Sequence, residues 1–122
     1  MTVLLLALAG GAGAAVRFVV DGLVRSKLRT ALPLGTILIN VSGSLLLGFL
    51  AGLVMRHLAP ESLQVVLGTG FLGGYTTFST ASLETVRLVQ AGRTGLALAN
   101  GIGTMGACVL AAAGGAGLAS LL

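Results

Sequence analysis

The sequence predicts an all-α membrane protein: four transmembrane helices, the third broken near its middle, forming one domain over residues 1–122. Three observations lead there. First, 56% of residues are hydrophobic and only 8% are charged, with a mean hydropathy of +1.07. A soluble domain carries about 25% charged residues, and a chain this short would expose much of its surface to water. Second, four apolar segments, at 2–24, 33–55, 62–90 and 95–122, each reach the roughly 20 residues that cross a hydrocarbon core. Short polar breaks, "VRSKLRTALP", "RHLAPES" and "VQAGR", separate them. Third, the stretch "GFLGGYTTFSTASLE" at 70–84 puts paired glycines and a run of hydroxyls where a span favours leucine.

The first segment carries "GGAGAA" at 10–15. Similar small-residue spacings recur in "GSLLLG" (43–48), "GTGFLGG" (68–74) and "GIGTMG" (101–106). Small residues let transmembrane helices approach closely, so a tight bundle is expected. A dinucleotide-binding glycine loop is excluded at 10–15, because the run continues apolar through "VRFVV" with no strand–turn–helix unit. Arg17 lies inside this segment. A charge there is expensive and marks either a pathway or a snorkelling side chain. With Arg17 inside it and no basic start, the segment does not read as a cleaved signal peptide. Asp21 is expected to end the segment near the loop cations.

In the second segment, Asn40 sits mid-span in "GTILINVSGSLLLGF". An amide there faces the bundle interior or a pathway, either bonding to another helix or donating to a permeant species. His57, in the following loop, reads as a solvated side chain.

The third segment should break. Gly73-Gly74 followed by Tyr75-Thr76-Thr77 has poor helix propensity, and irregular backbone at membrane depth survives only inside protein or beside water. Unwinding frees carbonyls near the midplane. With no carboxylate close by, they suit a hard monovalent cation such as Na⁺, as in the broken helices of transporters. The competing expectation is a kinked helix whose hydroxyls bond back one turn. Glu84 and Arg87, three residues apart, are spaced for an ion pair along the helix.

In the fourth segment Asn100 and Thr104 are four apart, on one helix face. Cys108, the single cysteine, lies among apolar residues and reads as a packing residue. Asn40, Phe78, Ser79, Thr80, Asn100 and Thr104 together would line a path of neutral donors and one aromatic ring. Amide N–H groups, hydroxyls and the positive edge of a phenyl ring favour a small anion over a cation or proton.

The net charge is +4, from seven Lys and Arg against three Asp and Glu. The cations gather at segment ends rather than in one patch, which argues against nucleic-acid binding. Arg25, Lys27, Arg29 and Arg93, with Arg87 close by, fall at one end of the spans, and Arg56 alone at the other. Short-loop Lys and Arg stay cytoplasmic, so this bias predicts both termini outside.

"GGAGAAVRF" (10–18), "GTILINVSGSLLLGFL" (35–50) and the 70–84 stretch resemble the Fluc (CrcB) fluoride channel family, over nearly the whole length. The resemblance implies an antiparallel, dual-topology dimer of four-helix subunits in a prokaryotic plasma (inner) membrane. It implies two fluoride pores for passive export that lowers fluoride toxicity. It also implies one structural, untransported Na⁺ at the dimer centre, held by the carbonyls of Gly73 and Thr76. Fluoride would pass Asn40, Phe78, Ser79 and Thr80, with Asn100 and Thr104 on the family's polar track and Arg17 and Glu84 at a vestibule or pore mouth. One position departs: the family pattern has a second phenylalanine where this chain has Ala81. That departure and the charge bias together raise a heterodimer with an oppositely biased paralogue as an alternative to the homodimer.

No nucleophile–base pair or metal-ligand set points to an enzyme. Two other functions compete. A small multidrug-type proton-coupled exporter would need a mid-span carboxylate, which the sequence lacks. A non-conducting structural subunit draws its support from Ala81.

Overall fold

A computed structural model describes residues 1–122. It is helical throughout, without strands. Helix α1 spans Thr2–Lys27 and α2 spans Leu34–Met55. Helix α3 runs through the contiguous stretches Glu61–Leu63, Gln64–Leu72 and Gly73–Tyr75, the middle one with the wider π-type turn. Helix α4 spans Ser79–Gln90. Helix α5 covers Thr94–Ala119, with a second wide-turned stretch at Ala99–Gly103. Helices α1, α2 and α5 are each long and apolar enough to cross a membrane. The third span falls short as a single helix because it is two, joined by non-helical Thr76–Phe78.

The break therefore begins two residues after the Gly73-Gly74 pair, at the Thr76-Thr77 end of the stretch expected to unwind. Both glycines are helical, Gly73 with φ −61° and ψ −38°. Gly74 has a different reason to be glycine: a Cβ there would run into the Gly10 carbonyl of α1. Close approach, not unwinding, sets that position. The chain turns extended only at Thr76, with φ −79° and ψ 160°.

The closest pairs are not neighbours in sequence. Helix α1 packs on α3, where a Cβ on Gly13 would overlap the Phe71 carbonyl. Helix α2 packs on α5, where one on Gly48 would overlap the Ala112 carbonyl and one on Gly115 the Leu45 carbonyl. Contacts step from Leu6–Gly70 to Gly10–Gly74 along α1 and α3, and from Gly48–Ala112 to Gly52–Ala116 along α2 and α5, so each pair is parallel. At the far end the Arg56 guanidinium donates to the Ser120 carbonyl, tying α2 to the last turn of α5. The small core holds Ile39, Leu72 and Tyr75, with Val20 and Phe71 packed against it.

Two helices end in a left-handed residue. Gly92 (φ 77°) closes α4, with its N–H on Val89 and the Arg93 N–H on Leu88. His57 (φ 57°) closes α2 in the same way, with Leu58 N–H on Leu53. This is the helix-ending arrangement that glycine usually supplies, and His57 is an exposed loop side chain as the sequence suggests.

The packing yields an expected outcome. Gly48→Ala drives a methyl into backbone, and overpacking of this kind costs about 1–3 kcal/mol. Gly114→Ala meets open space within the subunit and removes a mid-helix glycine, which gains about 0.5–1 kcal/mol. Thermal melting of the detergent-solubilised protein should fall for the first and hold or rise for the second. Equal losses at both positions would show that the α2–α5 approach is not as close as described.

Candidate functional site

The break is held open by one side chain on another helix. Asn40 Nδ2 donates to the Thr77 carbonyl at 2.8 Å, and Thr77 N–H donates to Asn40 Oδ1 at 2.8 Å. The amide thus pairs with both main-chain groups of a buried residue, as a strand partner would. Asn40 carries two amide N–H groups, and this pairing leaves one of them free.

The consequence for neighbouring carbonyls follows directly. In a continuous helix, Thr77 N–H would bond to the Gly73 carbonyl and Thr80 N–H to the Thr76 carbonyl. Instead Thr77 N–H goes to Asn40, and Thr80 N–H goes to Thr77 Oγ1 at 3.2 Å. No hydrogen bond within the chain reaches the carbonyl of Gly73 or Thr76. Both belong to the C-terminal end of α3, where unpaired carbonyls and the helix dipole concentrate negative partial charge.

Across the break the polarity reverses. Helix α4 begins at Ser79, and the N–H groups of Phe78 and Ser79 have no partner in the chain. Thr77 Oγ1 caps this end. It accepts from Thr80 N–H, donates to Thr80 Oγ1 at 3.1 Å and lies 3.4 Å from Ser79 Oγ. Phe78 is 87% exposed and touches no other aromatic ring, standing on the outer face of the subunit at mid-span.

The structure therefore gathers Asn40, Phe78, Ser79 and Thr80 around one break. Arg17 joins them: with Asp21, Thr36, Thr77 and Thr80 it lines a cavity of about 260 Å³. Arg17 makes no ion pair, because Asp21 gives its carboxylate to Arg25, at 2.9 Å. Asp21 does not end α1, which runs on to Lys27.

Glu84 departs from its expected pairing. Its Oε2 accepts from Arg25, 59 residues away, at 3.2 Å, rather than from Arg87 on its own helix. Its Oε1 is buried without a partner. The helix register would allow the Arg87 pair, but the end of α1 brings Arg25 over Glu84 first. Glu84 and Arg87 both line a larger cavity, about 680 Å³, at this end of the bundle.

Asn100 is not drawn into the break. It is 4% exposed and donates to Thr85 Oγ1 at 2.8 Å, and Thr85 donates to the Ala81 carbonyl at 2.8 Å. Asn100 thus fastens α5 to α4 on the turn that carries Ala81. Thr104, half-buried, begins the regular part of α5.

Sequence reasoning missed Thr77, Thr85 and Ser42. Thr77 was legible as a helix-start threonine three residues before Thr80. Ser42 Oγ meets Tyr75 OH at 3.0 Å, anchoring the last turn of α3 to α2, and nothing local in the sequence signals that pair.

With this geometry in hand, comparison with known proteins is direct. The family model described as CrcB-like protein, Camphor Resistance (CrcB), matches residues 4–116. A protein of Leifsonia xyli subsp. xyli named fluoride-specific ion channel FluC 1 is 50% identical over 105 residues, 86% of this chain and 77% of that one. The fluoride-specific ion channel FluC 2 of Cutibacterium acnes is 52% identical over 88 residues, 71% of this chain and 72% of its own. The fluoride-specific ion channel FluC of Magnetococcus marinus is 42% identical over 113 residues, 92% of each.

The clamp has a measurable weight. Asn40→Leu orphans two main-chain groups of buried Thr77, a loss of about 2–5 kcal/mol. Ser42→Ala removes one side-chain bond between helices, worth about 0.6–1.7 kcal/mol in membranes. Thermal melting in detergent should rank Asn40→Leu well below Ser42→Ala. The reverse order would mean that Thr77 finds other partners and that the break does not depend on Asn40.

Proposed function

The chain belongs to the CrcB family, and on that premise we propose that it is a fluoride channel of a prokaryotic plasma membrane, passing fluoride passively out of the cell. The observation that carries this reading is the clamped break. A small, strongly hydrated anion must exchange its water for fixed donors. The free N–H of Asn40, the hydroxyls of Ser79 and Thr80 and the unpaired N–H groups at the start of α4 are such donors. A helix N-terminus adds positive partial charge. Phe78 contributes its ring edge. No carboxylate or histidine belongs to this set, which suits an anion and disfavours proton coupling. Arg17 draws anions toward the break through the smaller cavity, and Glu84, on the floor of the larger one, marks a pore mouth. On α5, Thr104 extends the polar lining, while Asn100 supports it from behind by holding α5 to α4 through Thr85.

The working unit in this reading is an antiparallel dimer. The 87% exposure of Phe78 supports it, since a polar-flanked ring at mid-span gains a role when a second copy covers it. The Gly73 and Thr76 carbonyls of two such copies would hold one Na⁺, as a structural ion that is not transported. That no donor in the chain reaches these carbonyls supports that assignment. Ala81 and the one-ended arginines favour a second arrangement, in which a paralogue inserted the other way supplies an aromatic that this chain lacks.

Fluoride efflux from liposomes holding the purified chain alone, driven by a potassium diffusion potential, tests the channel reading. The parent chain should release trapped fluoride without a proton gradient and far faster than chloride. Phe78→Ile should slow release by up to about tenfold, because ring contacts of this kind are worth about 0.5–1.5 kcal/mol. Release that requires a proton gradient would replace the channel with an exporter. No release from a folded chain would leave the paralogue arrangement or a non-conducting subunit.

The sodium assignment has its own measurement. An ion bound only by the assembled state stabilises it by mass action. Replacing Na⁺ with a bulky organic cation should lower the dimer's melting temperature, and returning Na⁺ should restore it. An unchanged melting curve with residual Na⁺ removed would exclude the site.

A further inference from the structure

We propose that the cavity at the arginine-rich end of the bundle is a headgroup site for an anionic phospholipid. The inference requires that the chain cross a bilayer and is independent of what it conducts. The cavity, about 680 Å³ and open to the surface, is bounded by the end of α1, the 28–33 segment, the start of α2 and the C-terminal half of α4. Its charged lining is three guanidiniums, of Arg25, Arg29 and Arg87, against the Glu84 carboxylate.

The three arginines are not equivalent. Arg25 is engaged on both sides, by Asp21 and by Glu84. Arg29 and Arg87 make no ion pair and no side-chain hydrogen bond within the chain. Each therefore presents a planar fork of free donors, and that fork matches the oxygens of a phosphate. Leu28, Leu34 and Leu88 complete the wall.

This mixture selects the ligand. A free phosphate would occupy a small part of the space and leave the leucines facing water. A phospholipid sets its phosphate on the arginines and its glycerol and first methylenes on the leucines. The cavity also lies where the apolar stretch of α1 finishes and that of α2 starts, the depth at which lipid phosphates sit. Basic pockets between transmembrane helices are suited to anionic headgroups. Glu84, tied to Arg25 on the floor, repels a phosphate that goes deep and keeps it at the level of Arg29 and Arg87.

Native mass spectrometry of the full chain, purified in detergent and given equal amounts of phosphatidylglycerol and phosphatidylcholine with identical acyl chains, tests the proposal. Phosphatidylglycerol should be retained over phosphatidylcholine by about twenty-five-fold, near fivefold for each of the two arginines. Arg29→Gln with Arg87→Gln should erase the preference, and Arg93→Gln, at the same end but outside the cavity, should keep it. Should the double variant not fold, Arg29→Lys and Arg87→Lys carry the test singly. Each keeps the charge but loses the fork, and each should weaken retention. Equal retention of both lipids, a preference that survives the cavity variants, or one that Arg93→Gln abolishes as readily would overturn the site. Retention of added inorganic phosphate without any lipid preference would identify a free-anion pocket instead, and would overturn it too.

Discussion

The paired hydrogen bonds between the Asn40 amide and the main chain of Thr77 are the constraint on which the rest of this structure depends. A hydrocarbon environment has no water to satisfy a broken helix, so each unpaired N–H or carbonyl at that depth costs several kcal/mol. A span can therefore break only where a neighbouring group or a water-filled cavity stands in for the missing turn. Asn40 does so at both of Thr77's main-chain groups, and Thr77 Oγ1 does so for Thr80. Every bond drawn sideways in this way is one that a continuous helix would have made along its axis. The carbonyls of Gly73 and Thr76 are left free as a result. The clamp that stabilises the break is thus also what exposes its polar groups.

Two opposite helix ends face each other across three residues. The end of α3 presents carbonyls and the start of α4 presents N–H groups. One short interruption can accordingly attract a cation on one side and an anion on the other without any formal charge. This matters in a membrane, because a bare carboxylate or lysine at the same depth costs far more than oriented dipoles. It also gives a physical reason for the hydroxyl-rich composition of 76–82. Short hydroxyl side chains can cap, bridge and line without displacing the helices around them.

The glycines serve the same end from outside. Gly13 and Gly74 let α1 and α3 touch backbone to backbone, and Gly48 and Gly115 do so for α2 and α5. Such contacts leave little freedom to slide, which keeps Asn40 on α2 within hydrogen-bond reach of Thr77. Ser42 and Tyr75 reinforce that register one turn away. At the arginine-rich end, the Asp21–Arg25–Glu84 chain joins α1 to α4. Arg25 is largely exposed, and an exposed pair such as Arg25–Asp21 is worth at most about 1 kcal/mol, so its effect is on side-chain orientation more than on stability.

The sequence by itself determined the number of spans, their approximate limits, the existence of a break in the third and the kinds of side chain around it. Each of these follows from properties of contiguous residues: hydropathy over about 20 positions, helix propensity over five or six, and the chemistry of one motif. Tertiary structure alone decided the rest. It confined the break to Thr76–Phe78, the far end of the 73–77 stretch expected to unwind, because Gly74 is needed against α1. It gave Glu84 to Arg25 rather than to Arg87, and it set Asn100 on Thr85. It also chose which carbonyls are free, since Asn40 and Thr77 lie 37 residues apart. A local pattern records what a residue can offer, but a diverted hydrogen bond depends on which distant group comes within 3 Å, and only the packing of the helices fixes that.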